Sequence, residues 1–219
     1  EKKQTASIIV LMAVLQRTAG LAIATGALQK INQLYPASEE SQRIAAARKD
    51  GYWPYVSKKE EPPAEYTYGE FPLPFFGELL DKAAASSAAC PGGDRSAAEF
   101  LDLGSGAGRL VLAAAAATPP WKRVTGVEFL SSLHTLAEEK LAQAQALPGG
   151  LLTSEVVLEN CSWDSESLDL SSIDVAFAYT TALPTEGGLL TGLTKALRDK
   201  MKKDSIIITT DYELGEGFS

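Results

Sequence analysis

The chain has 219 residues, a formal net charge of −8 and an apolar share of 45%. That length suits one core domain with an appendage, and the apolar share is that of an ordinary globular protein. The acidic balance argues against direct nucleic-acid binding, which calls for a basic surface excess. Cys90 and Cys161 stand far apart and fit no metal spacing. The single histidine, His134, builds neither a zinc site nor a triad and reads as a helix-surface or half-buried residue, so no metal is expected. The two thiols read as reduced, which points to a reducing, intracellular compartment. The first residue is Glu rather than Met, so the sequence reads as a piece of a longer or processed chain.

Residues 6–28 are markedly apolar and long enough to raise the question of a membrane. Arg17 near the middle argues against an anchor, because a charge there costs about 2.5–3.5 kcal/mol on insertion scales. One or two packed helices are expected instead, continuing through Leu34. Ser38 is placed to cap the next helix. The basic residues from Arg43 to Lys49 read as its solvated face, and Gly51 ends it. Tyr52-Trp53-Pro54-Tyr55 reads as a packed aromatic loop. The proline-broken, charged run Lys58 to Pro63 reads as a linker. This divides the chain into an N-terminal helical appendage, residues 1–63, and a main domain, residues 64–219.

The main domain opens with Tyr68-Gly69-Glu70-Phe71 and a helix from Pro74 to Ala85 whose apolar face carries Phe75, Phe76, Leu79 and Leu80. By itself Tyr68-Gly69-Glu70 is an ordinary turn before a helix. Next comes a buried strand ending at Leu103, a turn of Gly104, Gly106 and Gly108, and a helix from Arg109. Glycines let the backbone turn sharply and approach a ligand closely. The helix N-terminus behind them offers free N–H groups to an anionic group. A dinucleotide site wants G-x-G-x-x-G. Here the third glycine arrives one residue early, Arg109 takes its place, and Asp102 stands two residues before the first glycine.

A second strand, Lys122 to Glu128, ends in an acid 26 positions after Asp102, the length of a strand–helix–strand unit. Such an acid can accept both hydroxyls of a ribose, or it can simply be a surface acid at a strand end. A helix over Ser131 to Leu147, a third strand over Leu152 to Leu158, and the loop Asn160-Cys161-Ser162-Trp163-Asp164 follow. Ser172 to Tyr179 reads as a strand buried on both faces. A helix over Glu186 to Lys203 and a fifth strand over Ser205 to Thr210 complete the series.

The Asp-x-Gly-x-Gly-x-Gly pattern at Asp102 to Gly108 resembles the first motif of the class I methyltransferases. With Tyr68-Gly69-Glu70 ahead of it and Gly126-Val127-Glu128 behind, the chain resembles the Dot1-like protein-lysine methyltransferases over roughly residues 66–212. The resemblance implies an α/β fold: a Rossmann-like, doubly wound sheet. It implies S-adenosylmethionine as cofactor. Tyr68, Gly69 and Glu70 would close over its methionine end, and the loop Gly104, Ser105, Gly106 and Gly108 would pass beneath. Asp102 would act near its amino group and Glu128 on its ribose. Trp163 would stack on the adenine, unless it is only a loop anchor, with Ser162 or Asp164 as partner of the exocyclic amine.

Tyr68, Glu70, Tyr179 and Thr180 would stand at the reaction centre, with no general base assigned. The implied partner is a protein with a target lysine, in nucleus or cytoplasm, an organelle being left open. The chain departs from the family pattern at Phe71, where a small polar residue is usual, and at Thr180 and Thr181, where an Asn-rich segment is usual. No residues remain after the fifth strand for the closing strands of the class, so either the sequence is a truncated piece or the sheet ends early and exposes an edge. Beside the Dot1-like reading stand a class I methyltransferase acting on another protein or a small molecule, and a non-catalytic binding module that keeps the fold.

Overall fold

The computed structural model describes the backbone of residues 6–10 and residues 22–218. Among the described residues six strands form one parallel sheet: β1 (Ala6–Val10), β2 (Glu99–Leu103), β3 (Arg123–Val127), β4 (Glu155–Glu159), β5 (Val175–Ala178) and β6 (Ile206–Thr210), in the order β1-β6-β5-β2-β3-β4. From β2 the chain winds outward through β3 to β4, then returns to β5 on the other side. The connections therefore diverge between β2 and β5, where open α/β sheets place their ligands at the carboxyl ends of the strands. The Rossmann-like, doubly wound α/β sheet expected from the sequence is the one observed.

Alternation along the central strands supplies two cores. Phe100, Val124, Val175, Phe177, Ile206 and Ile208 face the layer of α1 (Thr25–Leu34), α4 (Leu73–Ser86), α5 (Arg109–Ala115) and α6 (Ser131–Gln145). Leu101, Leu103, Val127, Ala176, Ala178 and Ile207 face α7 (Thr191–Arg198) and the loop bearing Leu170 and Ile173. Asp102 shares the face of Phe100, two residues away, because side chains alternate across a strand. β2 and β5 are buried along their whole length, as strands covered on both faces must be. Phe76 joins the layers edge-on to Phe100 and Phe177, with ring centroids 5.9 and 5.2 Å away.

The N-terminal region differs from the sequence reading. The expected helix over residues 6–28 is a strand at Ala6–Val10, while α1 begins at Thr25; the helix expected across residues 11–21 lies outside the described residues. Ile8-Ile9-Val10 is a β-branched run, which favours strand over helix. β1 pairs in parallel with β6, so the edge expected to stay open beside the fifth strand is occupied. Among the described residues no helix is long and apolar enough to cross a membrane. Ser38 lies in a short 3-10 turn and does not cap α2 (Glu40–Gly51). The aromatic loop at Tyr52 to Tyr55 is mostly a one-turn helix, α3 (Trp53–Val56).

Two further expectations give way. Phe75 points outward, while Phe76, Leu79 and Leu80 are buried. The helix expected over Glu186 to Lys203 shrinks to α7, because Gly187 and Gly188 adopt positive φ angles of 61° and 84° that end any helix. His134 is half-buried on α6, 3.6 Å from Glu138. Both cysteines are free.

Candidate functional site

A cleft opens at the carboxyl ends of β2, β3 and β5. Its floor is the end of β2, Asp102 and Leu103, and the glycine loop from Gly104 to Gly106. One wall is Val127, Glu128 and Phe129; the loop after β4 adds Cys161, Ser162 and Trp163; β5 adds Ala178 and Tyr179. The loop from Glu65 to Phe71 lies over the opening. The sequence-predicted residues Tyr68, Gly69, Glu70, Asp102, Gly104, Ser105, Gly106, Glu128, Ser162, Trp163 and Tyr179 thus line one cleft.

The glycine turn is shaped for close approach. Gly106 has φ 55°, and a Cβ on it would meet Tyr68 Cε2 at 2.9 Å, so the Tyr68 ring rests directly on the loop. Gly104 opens to free space, whereas Gly108 faces Ala137 of α6 and is outside the lining. Across the strand from Asp102, Gly126 leaves room for α5: a Cβ there would lie 2.6 Å from Val111 Cγ2. We expect Gly106→Ala to weaken binding of S-adenosylhomocysteine about tenfold, since the methyl displaces Tyr68 and the left-handed backbone costs roughly 1–2 kcal/mol for a non-glycine residue. Titration calorimetry reads this, and an unchanged affinity would contradict it.

Two buried carboxylates dominate the electrostatics. Glu128 accepts the backbone N–H of Gly106 through Oε2 at 2.8 Å and that of Leu130 through Oε1 at 2.7 Å. Asp102 is buried, and its Oδ2 has no hydrogen-bond partner. Burial, and then the charge of Glu128, push the Asp102 carboxyl up to about 8. Burial also raises Glu128, against the opposing pull of the Leu130 and Gly106 N–H groups. Those donors favour the charged form of Glu128, while nothing donates to Asp102 Oδ2, so of the two Asp102 holds a proton the more readily. Ser105 Oγ is a second buried atom of the lining without a partner.

The overlying loop is fixed by charge. Glu70 Oε1 receives Arg43 Nε at 2.6 Å and the Tyr68 hydroxyl at 2.9 Å, and Glu70 Oε2 stands 3.4 Å from Arg109 Nη1. Arg43 is therefore not part of a solvated face, as the run from Arg43 to Lys49 suggested; only 3% of it is exposed. Burial opposes its charge, but Glu70 holds it further in the charged form. Burial, with the negative charge of Glu70, raises the Tyr68 hydroxyl well above its ordinary value. Phe71 packs edge-on to Phe177 and Tyr179, 5.3 and 5.5 Å between centroids, and its carbonyl accepts Arg109 Nη1 at 3.2 Å.

Besides Gly108, two predicted residues stand elsewhere. Thr180 is fully buried and outside the lining; its hydroxyl donates to the Thr210 carbonyl and its N–H to Thr210 Oγ1, so it pins β5 to β6. Asp164 is exposed and outside the lining, whereas Ser162 and half-buried Trp163 are in it. Sequence reasoning missed Tyr35, Arg43 and Asn160. Asn160 Nδ2 donates to the carbonyls of Glu128 and Phe129 at 2.8 and 3.2 Å, tying the Trp163 loop to the Glu128 wall. Only its place just ahead of Trp163 hinted at this. Among the described residues no cluster of His, Cys, Asp or Glu is arranged to hold a metal.

Residues 56–150 match the family model described as "Histone methylation protein DOT1". The match holds Tyr68-Gly69-Glu70, the whole glycine loop and Glu128, and over that stretch the chain resembles that family. No curated protein matches the chain. Among solved structures, it is similar to a putative S-adenosylmethionine-dependent methyltransferase of Methanococcus maripaludis, at 11% identity, over 90% of this chain and 68% of that one, with a TM-score of 0.46. It is also similar to the YcgJ protein of Bacillus subtilis, at 20% identity over 61% and 48%, TM-score 0.43. A third is an RNA methyltransferase of Salinibacter ruber in complex with S-adenosylhomocysteine, at 22% over 61% and 72%, TM-score 0.42. The chain spans about half to three quarters of the length of these proteins. These likenesses are distant, and the reading of the site rests on its own residues and on the family match.

The cofactor of that family and fold is S-adenosylmethionine, and the residues present fit it. The orphaned Asp102 Oδ2 in the floor suits an ammonium, the Glu128 carboxylate suits paired hydroxyls, and the open space beside Gly104 admits a ligand against the backbone.

Proposed function

We propose that this chain is a Dot1-like, S-adenosylmethionine-dependent methyltransferase that transfers a methyl group to a protein lysine. One observation carries the reading. A buried, unpartnered carboxylate, Asp102, lies under a roof of Tyr68-Gly69-Glu70, and both belong to the stretch matched by the family model.

Bound S-adenosylmethionine supplies an electrophilic methyl on a sulfonium, open to in-line displacement. Asp102 would take its amino group, Glu128 its ribose hydroxyls, and Ser162 and Trp163 its adenine end. Tyr68 and Gly69 roof the methionine end above Gly104 and Gly106. The acceptor side is Tyr179, Phe71, Ala182 and Leu183, an aromatic and apolar lining that favours the uncharged amine a nucleophile needs. Glu70 is saturated by Arg43, Tyr68 and Arg109, so it positions the roof rather than taking a proton. The lysine proton leaves to water before the methyl moves.

The departure at Thr180, turned away from the cleft, and the bulk of Phe71 favour a second reading, in which the acceptor is a non-histone protein or a small amine. Calorimetric titration with S-adenosylhomocysteine should give saturable one-to-one binding. A labelled-methyl assay on nucleosomes, free proteins and small amines should then place label on lysine. Label only on small amines would select the second reading. A folded chain that binds no S-adenosylhomocysteine would refute both and leave a scaffold.

A further inference from the structure

Two side chains from the N-terminal helices reach the two loops that enclose the cleft, one loop each. Tyr35, buried just after α1, donates its hydroxyl to the Ala107 carbonyl of the glycine loop at 2.8 Å. Arg43, buried in α2, donates Nε to Glu70 in the roof at 2.6 Å and Nη1 to the Pro36 carbonyl at 3.3 Å. The two are joined, for the Arg43 guanidinium lies 5.9 Å from the centroid of the Tyr35 ring. Glu70 in turn accepts the Tyr68 hydroxyl, and the Tyr68 ring rests on Gly106. The contacts form a closed circuit, from Ala107 through Tyr35, Arg43, Glu70 and Tyr68 back to Gly106, so it begins and ends on the glycine loop.

Neither Tyr35 nor Arg43 falls within the family match at residues 56–150. A guanidinium taken from water is costly unless a carboxylate meets it. If α2 only had to pack, an apolar side chain at Arg43 would serve. The carboxylate it meets sits between Gly69 and Phe71, which line the cleft.

We propose that Tyr35 and Arg43 are positioning residues for the cofactor, setting the height of the Tyr68-Gly69-Glu70 roof above the glycine loop. The inference rests on the cofactor reading given above. A roof that must lift for release and settle after entry acts on the dissociation rate rather than on encounter.

The test is a chase of tritiated S-adenosylmethionine from the full chain, with the association rate measured in parallel. Arg43→Gln, Glu70→Gln and Tyr35→Phe should each speed release, by about tenfold for the first two, with association within about twofold of the parent. Arg43→Lys, which keeps the charge, should restore most of the residence time. The double variant Arg43→Gln/Glu70→Gln should release no faster than either single one, because both remove the same contact. Tyr35→Phe deletes one oxygen and keeps the ring, so it tests the circuit even if Arg43→Gln fails to fold. Wild-type binding with unchanged release in the folded variants overturns the inference alone, and so does a double variant whose losses add. A folded wild type that binds no cofactor overturns the cofactor reading, and the inference with it.

Discussion

Replacing Glu128 by alanine is expected to abolish measurable cofactor binding and to loosen the glycine loop in the same stroke. The carboxylate has two tasks. Its Oε2 holds the Gly106 N–H and its Oε1 the Leu130 N–H, so it braces the loop under the cofactor against the end of β3. Its remaining lone pairs are the acceptors proposed for the ribose hydroxyls. Hydrogen bonds to a charged group contribute about 1.5–3 kcal/mol each. Losing those to the ribose therefore weakens binding about 100-fold or more, at roughly 1.4 kcal/mol per tenfold. Orphaning two backbone donors costs the free protein about 1–3 kcal/mol, part of which is returned because a buried charge has gone.

Glu128→Gln separates the tasks. It keeps the volume and one acceptor oxygen, but turns an NH2 toward one of the two backbone donors. We expect an intermediate loss in both calorimetry and thermal melting. Full binding by Glu128→Ala would overturn the assignment.

Asp102 should make both stability and binding depend on pH, in opposite ways. Its folded pKa, about 8, lies above the value near 3.9 of an unfolded chain. The folded state then holds a proton that the unfolded state has released. The stabilisation is complete below the unfolded value, and it declines as pH rises through the folded one. Thermal stability of the ligand-free chain should therefore fall between about pH 4 and 8 and level off above. Asp102→Asn removes the part of that slope due to Asp102, leaving the part due to Glu128, and melts higher than the parent above pH 8.

Binding runs otherwise. Near pH 7 the free site carries a proton on Asp102, and a free α-amino group, with a pKa of about 8, carries another. A carboxylate–ammonium pair in the complex needs only one of the two. About one proton should leave on binding, visible in calorimetry across buffers of different ionisation enthalpy, and affinity should peak near pH 8. Asp102→Asn should lose about 100-fold in affinity together with the acid limb of that profile. A more stable protein that binds worse is the trade-off expected where a site stores an unmet charge. A pH-independent affinity would remove Asp102 from the amino-group site.

What the sequence made legible was what is close along the chain. The strand, glycine turn and helix around Asp102 lie within 17 residues, and their chemistry is set by local geometry. Glu128 follows from the length of one strand–helix–strand unit. The roof at Tyr68-Gly69-Glu70 was recognisable by pattern, but what holds it was not. Arg43 lies on a polar-looking helix, and nothing beside it says that one guanidinium turns inward to meet a carboxylate 27 positions away. Tyr35 is hidden in the same way, 72 positions from Ala107. Thr180 looked like a residue at a substrate channel because it stands two residues past the end of β5. Which way a single hydroxyl turns there depends on Thr210, on a strand that arrives 30 positions later. Residues 6–10 were misread because apolar content was weighed over the whole stretch. The β-branching of Ile8, Ile9 and Val10 was the better signal.

The pairing of β1 with β6 bears on how the chain is made. Ala6 meets Ile206, so a segment made early waits for one made 200 positions later. During synthesis the layer of α4, α5 and α6 against β2, β3 and β4 can assemble from neighbours in sequence, while β1 has no sheet to join. Contacts of such long range form late, since the intervening chain must be ordered before they return any free energy. In the meantime a strand with free backbone groups is open to pairing with another chain. A chaperone that covers β1 until β6 has been made should therefore raise the yield of folded protein without touching the site at all.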